Sequence, residues 1–209
     1  MDPAAVLRLV PAADERDLVA RCVAGDRPAQ RQLFEGQKRR VHATLYRILG
    51  PSSQLEDLLQ EVFLSVFRAL PAFRGESSLA TWIDRCAVRA AFAHIRAGSA
   101  RRGQRPLELV ADGLASADPS AEARMLAREA TRRLYAVLDA LPAKQRMAFA
   151  LHAIDERGLP EVAELMSATL VATKARVWRA RRYVEKRAKA DPVLSAYLVA
   201  ASGGAEGAS

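Results

Sequence analysis

Apolar residues recur every three to four positions through most of the chain, and alternation over a strand length is nearly absent, so the pattern predicts an all-α protein. The first helix is expected over residues 15–24 and ends at Gly25, where the lack of a Cβ permits a left-handed cap. A second begins after Asp26 with Pro28 in its first turn. It carries Leu33, Phe34, Val41, Leu45, Tyr46 and Leu49 and stops at Gly50 and Pro51. Ser53 and Glu56 have the S-x-x-E spacing of a capping box for a third helix. Its Leu55, Leu58, Leu59, Val62, Phe63, Val66, Phe67 and Leu70 make a wide apolar face ahead of Pro71. A fourth starts near Ser77 or Ser78 and runs from Leu79 to about Arg96, with Trp82, Ile83, Cys86, Phe92 and Ile95 as core candidates.

Between about Ala97 and Pro119 the period lapses into Gly, Ser, Ala, Asp and Arg, a stretch too long for a connection inside one compact domain. The helical pattern resumes over 121–140, breaks at Pro142 and continues from Ala143 to about Ile154. The expected organisation is two small helical domains, 14–97 and 128–190, separated by a linker with the start of the next helix over 98–127. An extension over 191–209 follows. Val193, Leu194, Tyr197 and Leu198 leave open whether the extension docks as a helix or frays, and its end, with Gly203, Gly204 and Gly207, is expected to lack fixed structure.

After Gly158 the chain has the proportions of a helix-turn-helix. Leu159 and Pro160 lead into a short helix with Val162, Ala163, Leu165 and Met166 inward and Glu161 and Glu164 outward. Ser167, Ala168 and Thr169 form the turn, and the Thr169 hydroxyl can accept a bond from an orphan amide of the helix that starts at Leu170. In such motifs the N-terminal residues of the second helix approach base edges and flanking cations meet phosphates. Thr173, Lys174 and Arg176 lie in its first two turns, Val177 and Ala180 make a buried stripe, and Arg179, Arg181 and Arg182 can reach a backbone.

Charge strengthens that reading. The 209 residues carry 32 basic and 24 acidic side chains, a formal charge of +8. The excess is concentrated: Lys174, Arg176, Arg179, Arg181, Arg182, Lys186, Arg187 and Lys189 face the single acid Glu185 over residues 170–190, which implies a polyanionic partner. Half the residues are apolar, enough for a packed core, but no long uncharged apolar run offers a membrane span or signal peptide, so a cytoplasmic protein is expected. Cys22 and Cys86 are far apart and lack CxxC spacing, as expected of two reduced thiols. His42, His94 and His152 sit on separate predicted helices without metal spacing, and no phosphate loop or nucleophile motif occurs. Neither an enzyme nor a cofactor is expected.

The run Glu56-Asp57-Leu58-Leu59-Gln60-Glu61-Val62-Phe63, then Phe73-Arg74-Gly75-Glu76 and Thr81-Trp82-Ile83, resembles regions 2.2 and 2.3 of sigma-70 factors. Leu138-Asp139-Ala140-Leu141-Pro142, Arg146, Glu161-Val162-Ala163-Glu164-Leu165 and Lys174-Ala175-Arg176-Val177-Trp178-Arg179-Ala180-Arg181 resemble region 4. Two blocks in the right order around a variable join make the resemblance specific, and because no region 1.1 or region 3 fits the chain it points to the minimal extracytoplasmic-function (ECF) group. The resemblance implies a promoter-specific initiation factor whose partners are core RNA polymerase (β′ clamp helices and β flap), promoter DNA and an anti-sigma factor. It places polymerase contacts at Asp57, Gln60 and Glu61. Contacts to the −10 element fall to Trp82, Arg85, Arg89, His94 and Arg96, with Arg101 and Arg102 extending the cationic track, and contacts to the −35 element to Thr169, Thr173, Lys174, Arg176, Arg179, Arg181 and Arg182. For Trp82 core packing is an equal reading, and a structural role stands beside the DNA role of His94.

The chain also departs from the family. Arg89 stands where an Asn is common, Ala93 replaces the Asp before His94, Met166-Ser167 replaces Leu-Gly, and Val171-Ala172-Thr173 replaces Gly-Thr-Val. These positions bear on promoter sequence and melting. Two other functions stay open on the sequence: a DNA-binding regulator that does not recruit polymerase, for which the acids at Asp57 and Glu61 would be dispensable, and a sigma-like interaction protein that does not open DNA.

Overall fold

The computed structural model describes residues 12–100 and 121–197. All regular structure among them is helical: α1 (Ala12–Val23), α2 (Arg27–Leu49), α3 (Leu55–Ala69), α4 (Leu79–Ala100), α5 (Ala121–Asp139), α6 (Ala143–Phe149), α7 (Leu159–Leu165) and α8 (Leu170–Ala190). Of the expected join, residues 97–100 continue α4 and residues 121–127 open α5; residues 101–120, Leu198 and the glycine-rich end lie outside the described residues. No helix among those described is long and apolar enough to cross a membrane.

Local chemistry sets the boundaries. Gly25 adopts φ +84°, its amide donates to the Cys22 carbonyl, and the Asp26 amide donates to that of Arg21, the paired bonds of a Schellman cap. Asp26 then opens α2, accepting from the Ala29 amide at 3.4 Å while Arg21 pairs with its carboxylate at 2.7 Å. Ser78 caps α4 by accepting from the Thr81 amide at 3.2 Å. The capping box expected at Ser53 and Glu56 does not form. Gln54 occupies the cap of α3, one residue later, and Ser52 takes the Gln54 amide at 3.3 Å, while Glu56 turns to His42 at 3.7 Å. At the far end, Asp191 accepts the Val193 and Leu194 amides and starts a last helical turn over residues 192–197. Leu194 docks against Ala130 and Ala188, settling that part of the extension as docked.

The two helical domains pack on each other, and the larger core runs through both. Leu45, Ile48, Leu59, Val62 and Ile83 from the first half pack in one cluster with Met147, Ala150, Leu151, Val162 and Leu165 from the second. Polar groups complete the joint. The last carbonyls of α2 have no partner within their own helix. The buried Tyr135 hydroxyl donates to those of Arg47 (2.7 Å) and Tyr46 (3.3 Å), and Arg146 donates to that of Leu49 (3.1 Å). Burial pushes the Tyr135 phenol well above its ordinary pKa, so it stays a donor.

Gly50 makes this contact possible. Its backbone, φ +80° and ψ −169°, lies in a region essentially reserved for glycine, and a Cβ there would stand 2.3 Å from Tyr135 Cγ. Gly50→Ala is expected to destabilise the protein by about 1–3 kcal/mol from the backbone alone, with the displaced ring adding to it. The urea midpoint reads this directly, and an unchanged midpoint would contradict the joint.

Candidate nucleic-acid interface

α8 follows a tight turn in which Ser167 takes φ +47° and Thr169 accepts from the Ala172 amide at 3.2 Å. Thr173, Val177, Ala180, Val184 and Ala188 form its buried stripe. Thr173 was expected on the DNA face and is not there. It is 0% exposed, and its hydroxyl donates to the Thr169 carbonyl at 3.0 Å because its position falls on the stripe that packs inward. Lys174, Arg181 and Arg182 are exposed on the outer side. Arg176 and Arg179 instead turn toward the first half, where they line a groove with Arg96, Phe92 and Lys144.

The other wall of that groove is α4. Arg85, Arg89, Phe92 and Arg96 fall within about 60° of one another on one face of this helix at its 100° per residue. Arg89, Phe92 and Arg176 line a cavity of about 230 Å³, which adjoins a more open one of about 560 Å³. Arg96 stands 5.9 Å from the Phe92 ring centroid, and Arg85 is paired with Glu164 of α7. His94 lies half a turn away from this face, so the structure does not bring it to the other −10 candidates. Trp82 is half-buried against Phe73, with ring centroids 5.4 Å apart, and belongs to the core periphery. Arg101 and Arg102 lie outside the described residues.

Asp57, Gln60 and Glu61 are all exposed on α3, opposite the buried Leu58, Leu59 and Val62. The pair Asp57 and Glu61, four residues apart, gives this side a compact negative surface on a rigid helix.

A buried ion network joins the two halves. After α6 the chain widens into a π turn, Ala150–Ile154, and Glu156 takes φ +55°. Those two irregularities set Asp155 and Arg157 against α2 and α4. The Arg157 guanidinium donates to Asp155, to Asp84 (3.1 Å) and to Glu161 (2.7 Å). Arg40 shares Asp84, and Arg47 holds Asp155 at 2.7 Å. The side chains of Asp84 and Asp155 are only 1% and 2% exposed. Burial opposes the charge of Arg157, but its bond to Asp155 and the nearby Asp84, Asp155 and Glu161 carboxylates outweigh it and raise the guanidinium pKa above its ordinary value. The sequence reading missed this network. One signal was present: Asp84 falls on the stripe of Ala87, Val88, Ala91 and Ile95, where a carboxylate demands a buried partner.

Cys22 and Cys86 are free thiols, and burial raises the pKa of each. Among the described residues no group of three or more His, Cys, Asp or Glu side chains is arranged to hold a metal ion.

Comparison with known proteins bears on both halves. Residues 33–101 match the family model described as Sigma-70 region 2, and residues 131–184 match Sigma-70, region 4. The ECF RNA polymerase sigma-E factor of Escherichia coli (strain K12) is 28% identical over 180 residues, which span 81% of this chain and 92% of that protein. The factor of the same description from Haemophilus influenzae is 27% identical over 183 residues, 83% of this chain and 94% of that one. In fold, the chain is similar to CnrH in its complex with the cytosolic domain of CnrY, with a TM-score of 0.58 and 21% identity over 85% of this chain and 98% of that one. It is also similar to the sigma factor RpoE bound to the anti-sigma factor NepR from Bartonella quintana, with a TM-score of 0.55 and 19% identity over 77% of this chain and 97% of that one.

Proposed function

The chain belongs to the sigma-70 family, in its extracytoplasmic-function group, and from that premise we propose how its surfaces divide the work of a promoter-specific transcription initiation factor. Such a factor binds core RNA polymerase and promoter DNA and leaves RNA synthesis to the polymerase. The first half, 14–97, carries the polymerase contacts Asp57, Gln60 and Glu61 and reads the −10 element with the α4 face of Arg85, Arg89 and Arg96. Phe92, between them, offers an aromatic surface to an unstacked base. The second half, 128–190, presents α8 to the −35 element. The observation that carries this reading is the outer side of α8, where Lys174, Arg181 and Arg182 stand exposed on a helix entered through a tight, capped turn. An anti-sigma factor is a further partner, a reading supported by the complexes of CnrH and RpoE, and the protein works in the cytoplasm beside its polymerase.

Geometry adds a requirement. Promoter elements centred near −35 and −10 are about 25 base pairs apart, roughly 85 Å at 3.4 Å per pair. α4 and α8 line a single groove, so the two halves part before both elements are occupied.

Transcription with purified core polymerase on a pool of genomic promoters, mapping RNA 5′ ends and strand opening together, tests the function. New start sites sharing two upstream elements are expected with this protein and absent without it. Polymerase binding that yields neither opening nor starts would overturn it. At the upstream element, Lys174→Ala is expected to weaken binding about tenfold, within the ~1–3 kcal/mol of a specific base contact. Competitive titration of promoter duplexes against the holoenzyme checks this, and unchanged affinity would remove Lys174 from the interface.

A further inference from the structure

Two large apolar side chains stand on the wrong side of α8. Val171 is 78% exposed and Trp178 59%, and neither belongs to a core cluster. Seven residues separate them, so they lie within about 20° on one line along the helix, some 10 Å apart and opposite the buried Ala180. Single exposed apolar residues are ordinary. Two on one line of a helix this cationic are not explained by the packing of the chain. The charge around them selects the occupant: Lys174, Arg181 and Arg182 flank the line, which suits a duplex and repels a basic partner.

Resting on the reading that α8 enters the major groove, we propose that Val171 is a specificity-determining residue that packs on a thymine methyl of the upstream element. Val171 is the second residue of α8, two positions after the Thr169 cap and in the first turn, where a recognition helix comes closest to base edges. The C5 methyl of thymine is the one apolar group that the four bases present in that groove. A valine suits this contact: its χ1 is nearly fixed in a helix, so little side-chain freedom is lost when it docks. This is also one of the positions where the chain departs from the pattern it resembles, a valine standing in place of a glycine, which presents no side chain to a base. Trp178 holds a supporting place two turns on. Its ring lies 5.2 Å from the Arg182 guanidinium, and the pair can lie against the sugar-phosphate edge about three base pairs away.

The test uses the full chain assembled with core polymerase, on promoter duplexes in which each thymine of the upstream element is replaced in turn by deoxyuridine, which lacks only the methyl. At one thymine, the wild-type complex is expected to weaken about fourfold, the worth of burying one methyl-sized group. Val171→Ala is expected to bind the unmodified promoter about fourfold more weakly and to show no further loss when that thymine becomes deoxyuridine. Because Val171 is exposed and alanine favours helix, this variant should melt with the wild type. Wild-type indifference to every replacement, or a Val171→Ala variant with the same deoxyuridine loss as the wild type, would overturn the proposal while leaving promoter recognition standing. Failure to form any promoter complex would instead bring down the initiation reading, and this inference with it.

Discussion

Arg157→Met is expected to destabilise the protein by about 3 kcal/mol, the lower end of what breaking a buried ion pair costs. The substitution keeps most of the side-chain volume and removes a guanidinium that joins Asp155, Asp84 and Glu161 at once. Asp84 and Asp155 cannot relax into water, since each is buried beneath the joint. Each retains one arginine, Arg40 for Asp84 and Arg47 for Asp155, which is why the loss falls at the lower end of the range. Arg157→Lys should recover only part of it, because an ammonium lacks the planar fork that spans several acceptors. Urea unfolding gives the measurement. A midpoint equal to that of the wild type would mean that the network contributes nothing to the joint.

The paired substitution Asp57→Lys and Glu61→Lys is expected to act in the opposite manner, sparing the fold and removing the partner. Both residues are exposed on α3, opposite its buried face, so their effect on stability should stay within about 0.5 kcal/mol. On the face proposed to dock on the polymerase, reversing two charges would replace attraction with repulsion, an effect of several kcal/mol. A fall in polymerase affinity of at least about a hundredfold, ~2.7 kcal/mol, is therefore expected. Fluorescence titration of labelled protein with core polymerase reads it. Equal binding by the variant would remove this face from the interface and favour a DNA-binding protein that works without polymerase.

Much of the fold is legible because its signals are local. The Gly25 cap, the Asp26 and Pro28 start of α2 and the Thr169 cap of α8 each depend on a few neighbouring residues, and the structure places them where the sequence reading does. The capping box failed by a single residue: α3 starts one position later, with Gln54 at its cap, and Ser52 accepts from the Gln54 amide, so Ser53 is no longer placed to serve the Glu56 amide. Thr173 was expected beside Lys174 on the DNA side but is buried. The spacing 173, 177, 180, 184, 188 is a helical stripe that already assigned it inward. The joint between the halves was the least legible feature. Asp84 and Arg157 are 73 residues apart. The apolar stripe that Asp84 interrupts calls for a buried partner, but Arg157, in the irregular stretch before α7, lies on no stripe that would identify it as that partner. Val171 and Trp178 escaped for a related reason: in the sequence they look like core residues, and exposure alone distinguishes them.

The core shared by the two halves makes the factor's own cohesion a competitor of its target. On the proposed division of work only the parted form spans a promoter, so apparent affinity for a polymerase-promoter complex would equal the intrinsic affinity scaled by the fraction of molecules that are open. A joint favoured by about 2.7 kcal/mol would leave roughly one molecule in a hundred ready to engage. Substitutions that tighten Tyr135 against α2 then raise thermal stability and lower promoter occupancy by the same free energy. Within this molecule, robustness and readiness are set by one joint and move in opposite directions.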